Sequence, residues 1–170
     1  MTLKTLLFLN FLAILFYGSA QDTAQLKRTP YKLTVAVDKK TVYEEDINAT
    51  PYVLPENTVQ IYPGETVYLE THLENGTIKS MKAVKEITDS SKTLIVSFTQ
   101  TVEKKVHQMM TLKIKNPFKK QLVYQASIYI LKAKRWVQTD VLPVEPGLSG
   151  FETWPDVITS IGLGKWVLKG

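Results

Sequence analysis

After residue 30, apolar and polar positions alternate along most of the chain. In "YKLTVAV" the residues Tyr31, Leu33, Val35 and Val37 fall on one side. "ETVYLETHL" places Val67, Leu69, Thr71 and Leu73 together, and "TLIVSFTQTV" does the same for Leu94, Val96, Phe98 and Val102, with Gln100 as the one misfit. "MTLKIK" sets Met110, Leu112 and Ile114 against Thr111, Lys113 and Lys115. In "LVYQASIYIL" the residues Leu122, Tyr124, Ala126, Ile128 and Ile130 share one side, while Val123, Tyr129 and Leu131 make the other half apolar. A period of two is the mark of a half-buried strand, because successive side chains leave the backbone on opposite faces. The last of these runs, apolar on both sides, predicts a strand inside a sheet.

Turn residues separate the runs: "DKK" at 38–40, "YPGE" at 62–65, "ENGT" at 74–77, "TDSSK" at 88–92 and "NPFKK" at 116–120. Asn75-Gly76 between two extended runs is a strong hairpin signal, since both residues tolerate a positive φ. "NPFKK" predicts a second hairpin, joining "MTLKIK" to "LVYQASIYIL". No later window keeps a helical period. Short strands at this spacing predict an all-β, antiparallel two-sheet β-sandwich. Over about residues 31–168 the pattern resembles the immunoglobulin-like sandwiches of extracytoplasmic proteins, with a jelly roll as the alternative strand order. The cysteine–tryptophan–cysteine signature of true immunoglobulin domains is missing, and a fold of this type implies no function by itself.

The first residues read differently. Lys4 precedes the apolar run Leu6 to Phe16, and Gly18, Ser19 and Ala20 supply the small side chains that a signal peptidase requires. Residues 1–20 therefore read as a signal peptide, 21–30 as a flexible lead-in, and 31–170 as one β-sandwich domain. The apolar run is shorter than the roughly 20 residues that span a bilayer. No later run is apolar enough to hold the processed chain in a membrane. The sequence has no cysteine. That excludes a lipid-modified cysteine as an anchor, and it points away from the disulfide-rich secreted domains of eukaryotes. The expected place is the periplasm or outside the cell, of a bacterium.

Net charge is +5, but it is unevenly spread. Residues 38–75 carry eight acids and two lysines, whereas 104–135 carry nine basic residues and no acid. Lys113, Lys115, Lys119, Lys120 and Arg135, with Trp136 beside them, are the candidate ligand-binding residues for an anionic envelope polymer. The competing view is that outward lysines keep strand edges soluble. Nucleic acid is not expected, because the stretch lacks interleaved aromatic residues.

Searches for catalysis fail on spacing. Around Ser149 the second glycine of a nucleophile elbow comes one place early, and the two histidines, His72 and His107, lie in extended runs. No metal-ligand motif or cofactor loop is present; "GLGK" at 162–165 is only a fragment of a phosphate loop. Ser149-x-x-Glu152 matches a capping box and predicts a short helical turn near 149–157, limited by Pro155. On this reading Ser149, Phe151, Glu152, Trp154, Pro155 and Asp156 form a structural plug, with Phe151 and Trp154 inserted into the open end of the sandwich. Trp154-Pro155 is a candidate cis bond. A hydrolase pairing Glu152 with Asp156 is the less favoured alternative. The expectation is a non-catalytic protein with a binding or structural role, its partner an envelope protein or an anionic polysaccharide, without cofactor or metal.

Overall fold

The computed structural model describes residues 25–170; the expected signal peptide lies outside them. The strands are β1 (Tyr31–Ala36), β2 (Val42–Ile47), β3 (Val53–Leu54), β4 (Thr58–Ile61), β5 (Thr66–Glu74) and β6 (Thr77–Val84), then β7 (Thr93–Glu103), β8 (Val106–Lys115), β9 (Gln121–Ile130), β10 (Arg135–Thr139), β11 (Ser149–Trp154) and β12 (Ile158–Lys169). They form two five-stranded sheets, ordered β10-β9-β12-β4-β3 and β11-β8-β7-β5-β6, and a separate β1-β2 hairpin. All pairs are antiparallel. The architecture is that of a β-sandwich. β9 lies inside its sheet, as its two apolar faces predicted.

One core joins the sheets. Leu69, Leu94, Val96, Phe98, Leu112 and Ile114 of one sheet meet Val59, Ile61, Leu122, Ala126, Ile161 and Leu163 of the other. All but Val59, Ile61, Ile161 and Leu163 are alternate positions read from the sequence, so in those strands the period of two sets which face is buried. No helix long and apolar enough to cross a membrane occurs among the described residues.

The expected hairpin at "NPFKK" is instead a corner between the sheets, because β8 and β9 belong to different ones. Asn116, fully buried, organises it. Its Nδ2 donates to the carbonyls of Lys120 (2.9 Å), Val144 (2.9 Å) and Glu145 (3.2 Å), and its Oδ1 accepts from the Phe118 amide (2.9 Å). One side chain thus replaces the backbone bonds that a hairpin would have made, and Phe118 drops into the core.

Residues 149–154 also differ from expectation. They form strand β11, paired with β8 from Ser149–Lys115 to Trp154–Met110, and not a helical turn. A single turn cut short by proline makes too few bonds to repay its nucleation, whereas the β8 edge offers a full ladder. Glu152 accepts a bond from the Leu142 amide at 2.6 Å instead of capping. Phe151 is 59% exposed and enters no core, so it is not part of a plug. Trp154 packs against the core edge, its indole N–H donating to Thr139 Oγ1 at 3.2 Å. The described peptide bonds, Trp154-Pro155 included, are all trans.

A second, small core belongs to the β1–β2 hairpin. Leu33, Val35 and Ile47 are buried there against Tyr31, Tyr43, Tyr62 and Val157. Two polar anchors tie the hairpin to the sandwich. Gln100 of β7 pairs its carboxamide with Ala36, accepting from the amide (3.0 Å) and donating to the carbonyl (2.8 Å). That explains the polar misfit in an apolar row: Gln100 serves as one rung of a ladder to β1. The other anchor begins at Arg28, inside the stretch expected to be a loose lead-in. Arg28 is 2% exposed, and its Nε meets Glu65 Oε1 at 2.7 Å. The same carboxylate accepts from the Tyr31 hydroxyl (3.1 Å) and the Tyr62 amide (2.8 Å).

Candidate ligand site

The outer face of the β10-β9-β12-β4-β3 sheet carries two adjoining hollows. Their floor follows from register. Tyr129 of β9 stands opposite Trp136 on one side and Ser160 on the other. One row further, Ser127, Gly162 and Gln60 are aligned; the next row brings Gln125 beside Gly164. Gly162 and Gly164 therefore leave the middle of the sheet bare, where a side chain would otherwise rise. A β-carbon on Gly164 would have Thr58 Oγ1 as its nearest neighbour, at 3.6 Å. One on Gly162 would stand 4.0 Å from Cζ3 of Trp136, so the indole reaches across β9 to the space above β12.

The first hollow encloses about 440 Å³ between Trp136, Gln125, Ser127, Thr58, Leu54 and the two glycines. Glu56 and Lys165 border it and form an exposed ion pair at 4.0 Å. Both hold a left-handed backbone, with φ of 60° and 54°. Lys165 does so where β12 slips register between Gly164 and Val167. Glu56 takes its left-handed backbone in the three-residue turn between β3 and β4, while at Lys165 the bulge redirects the side chains of β12. The slip turns Trp166 inward, where it stacks on Tyr124 with ring centroids 5.6 Å apart and donates to the Asn57 carbonyl at 2.9 Å.

The second hollow, about 230 Å³, shares Trp136 and Gln60 with the first. Tyr43 and Glu45 of β2 form its outer wall, facing Tyr62 and Tyr129. Tyr129 and Trp136 meet edge to face, 5.6 Å between centroids and 69° between planes. Trp136 remains 48% exposed, an indole held between wall and solvent.

The residues singled out from sequence are not brought together. Lys113 and Lys115 lie on the outer side of the other sheet, with Lys113 Nζ 5.5 Å from the Phe151 ring and Lys115 bonded to the Gly147 carbonyl. Lys119 and Lys120 are exposed on the β8–β9 corner. Arg135 and Trp136 start β10, in the opposite sheet. Among the described residues, no ion pair includes a cation from 104–135. Five of the eight acids of 38–75 pair instead, with Arg28, Lys32, Lys79, Lys82 and Lys165. Ser149 pairs with Lys115 at the start of β11, and Pro155 and Asp156 form the exposed bend after it. Glu152 and Asp156 line none of the principal hollows. His107 is held by Gln100 (2.9 Å) and the Pro155 carbonyl (3.0 Å), while His72 is exposed on β5. No cluster of three metal-ligating side chains occurs among the described residues.

Sequence reasoning singled out Trp136 and missed its surroundings: Tyr43, Gln60, Tyr62, Tyr129, Gly162 and Gly164. A signal existed in "IGLGK". Two glycines spaced by two inside a strand clear one face of it, and interior strand glycines mark a close approach. No family model matches the chain, and no characterised protein or solved structure resembles it significantly.

Proposed function

We propose that this is a non-catalytic binding protein whose ligand, a neutral glycan chain, lies in the groove beside Trp136. The observation that carries the reading is a half-exposed indole that reaches over Gly162, with Gly164 bare beside it in the same central strand. A pyranose ring offers an apolar C–H face and a rim of hydroxyls. An exposed indole takes the first, and carboxamides and hydroxyls such as Gln60, Gln125, Ser127 and Thr58 take the second. Both charged groups at the border neutralise each other, which suits an uncharged polymer. The leader of residues 1–20 supports a place outside the cytoplasm, in the periplasm or beyond it, where such polymers are met. The strand spacing supports an immunoglobulin-like order for the sandwich.

The lysines of 113–120 do not add up to one anion-binding face, since two are engaged locally and the set is divided between the outer side of one sheet and the corner. Lack of turnover is part of the proposal. His107 and Glu152 each hold structural bonds.

An array of neutral and acidic oligosaccharides probed with residues 21–170 tests this. Retention on neutral glycans should fall about tenfold or more in Trp136→Ala and in Gly164→Leu, which fills the floor, with urea midpoints preserved. Retention on acidic glycans alone, lost in Lys113→Gln/Lys115→Gln and untouched by the groove variants, would overturn it.

A further inference from the structure

The second hollow has a chemistry of its own, independent of the glycan reading. Four aromatic side chains from separate parts of the chain converge on it: Tyr43 from β2, Tyr62 after β4, Tyr129 from β9 and Trp136 from β10. Tyr129 and Trp136 are near perpendicular, so they wall it on two sides rather than stacking shut. One carboxylate, Glu45, lies on the rim, held by the Tyr43 hydroxyl at 2.7 Å.

Aromatic rings present a negative face, and several of them around a small space attract a poorly hydrated cation. The charges nearby favour the same ligand. Arg28 lies 5.0 Å from the Tyr62 ring centroid, but it is buried and neutralised by Glu65 at 2.7 Å. Arg135 precedes Trp136 on β10 and so alternates to the other side of the strand. Glu44 and Asp46 flank Glu45 on β2 and alternate to the other side as Arg135 does, so Glu45 is the charge of β2 that faces the hollow. Burial, and after it the hydrogen bond to Glu45 and the charge of that carboxylate, push the Tyr43 hydroxyl up to about 12.

We infer that this aromatic hollow is a binding site for a methylated ammonium group. A trimethylated nitrogen needs aromatic walls and a negative charge, which Tyr43, Tyr62, Tyr129, Trp136 and Glu45 supply; Gln60, Thr159 and Ser160 complete the lining. The group can arrive on a free small molecule or on a lipid headgroup.

Titration calorimetry with choline and with its uncharged isostere 3,3-dimethylbutan-1-ol separates charge from shape. Choline should bind at least about tenfold more tightly than the alcohol. Glu45→Gln keeps the acceptor for Tyr43 and changes only an exposed residue; it should weaken choline severalfold and leave the alcohol unchanged. Tyr129→Leu should weaken choline, with the urea midpoint checked. Co-sedimentation with phosphatidylcholine vesicles distinguishes the sources: binding there as well as to free choline points to a headgroup, and binding to choline alone to a soluble ligand. Equal affinity for choline and the alcohol, or no heat with choline up to about 50 mM, overturns the inference. So does vesicle binding without choline binding. Glycan retention that survives such a result leaves the groove reading intact, and the converse also holds.

Discussion

Replacing Arg28 with methionine keeps the volume of the side chain and removes its charge. The guanidinium has no exposed surface, and Glu65 opposite is 8% exposed. Arg28 also donates from Nη1 to the Pro51 carbonyl (2.8 Å) and to Thr50 Oγ1 (3.3 Å), and from Nη2 to the Gln60 carbonyl and to Glu65 Oε2 (3.3 Å). It lies between two rings, 4.2 Å from Tyr52 and 5.0 Å from Tyr62. Without it, Glu65 keeps only the neutral donors of Tyr31 and Tyr62 for a buried charge. Breaking one half of such a pair costs about 3–5 kcal/mol, because the other half stays desolvated. For a domain of this size that is a fall of roughly 6–20 °C in Tm. Glu65→Gln should cost a comparable amount, since its single carbonyl oxygen can replace only one of the two accepting atoms, Oε1 for Tyr31 or Oε2 for the Tyr62 amide, and its NH2 then faces the other donor. The double variant should be less destabilised than the sum by about 2 kcal/mol, the coupling of two groups that share a desolvated site. Urea titrations of all four proteins, with m held common, measure the cycle. A loss below about 1 kcal/mol for Arg28→Met, or strict additivity, would refute the claim that this network fastens the hairpin to the sandwich.

Asn116→Ala should cost about 2–4 kcal/mol in urea unfolding, because it strips donors from three buried carbonyls and an acceptor from the Phe118 amide, whose hydrogen exchange should quicken. Gly150→Ala should destabilise by about 1–3 kcal/mol although an extended backbone tolerates alanine, since the added β-carbon would stand 2.7 Å from Val144 Cγ2; an unchanged midpoint would show that Val144 moves freely. Gln100→Leu should raise exchange at the Ala36 amide well above that at Leu33, whereas uniform protection would contradict the rung assigned to Gln100. In alkali, burial raises the hydroxyls of Tyr31 and Tyr124, with Glu65 adding to the first and Glu152 to the second, and Tyr43 rises to about 12. A raised value in the fold means stability that is full below the ordinary tyrosine range, near pH 10, and lost as pH climbs through the folded values. The ring signals of Tyr31, Tyr43 and Tyr124 should therefore lag behind free tyrosine until unfolding; titration of these three near pH 10 with the fold intact would contradict it.

The strands with clean alternation were legible, and so were their buried faces. Phe98, Leu112 and Ile128 are all in the core where the period of two placed them. What escaped had physical reasons. β6 hides its strand because Lys79 is an extra residue at the register slip opposite His72 and Leu73, which spaces Ile78, Met81 and Ala83 unevenly. β2, "VYEEDI", is acid-rich because most of it faces water. The β7–β8 turn sits on Lys104 and Lys105, both left-handed, where no glycine or asparagine announces it. At β11 a local capping motif gave way to pairing with β8, a partner that no local pattern reveals. Within the candidate site, Trp136 was named from the sequence, but as a neighbour of the basic residues and for an anionic ligand. The residues around it come from β2, β4, β9 and β12, and only the sheet order brings them together.

The central claim is that ligand meets this protein at Trp136. The three indole N–H signals of the labelled protein test it directly during titration with a glycan retained on the array. Trp136 should shift as the ligand saturates, with Ser127 and Gly164 amides moving alongside, while Trp166 and Trp154, bonded to Asn57 and Thr139, stay in place. A silent Trp136 with shifts gathered on Lys113, Lys115 and Phe151 would contradict it and move the site to the other sheet.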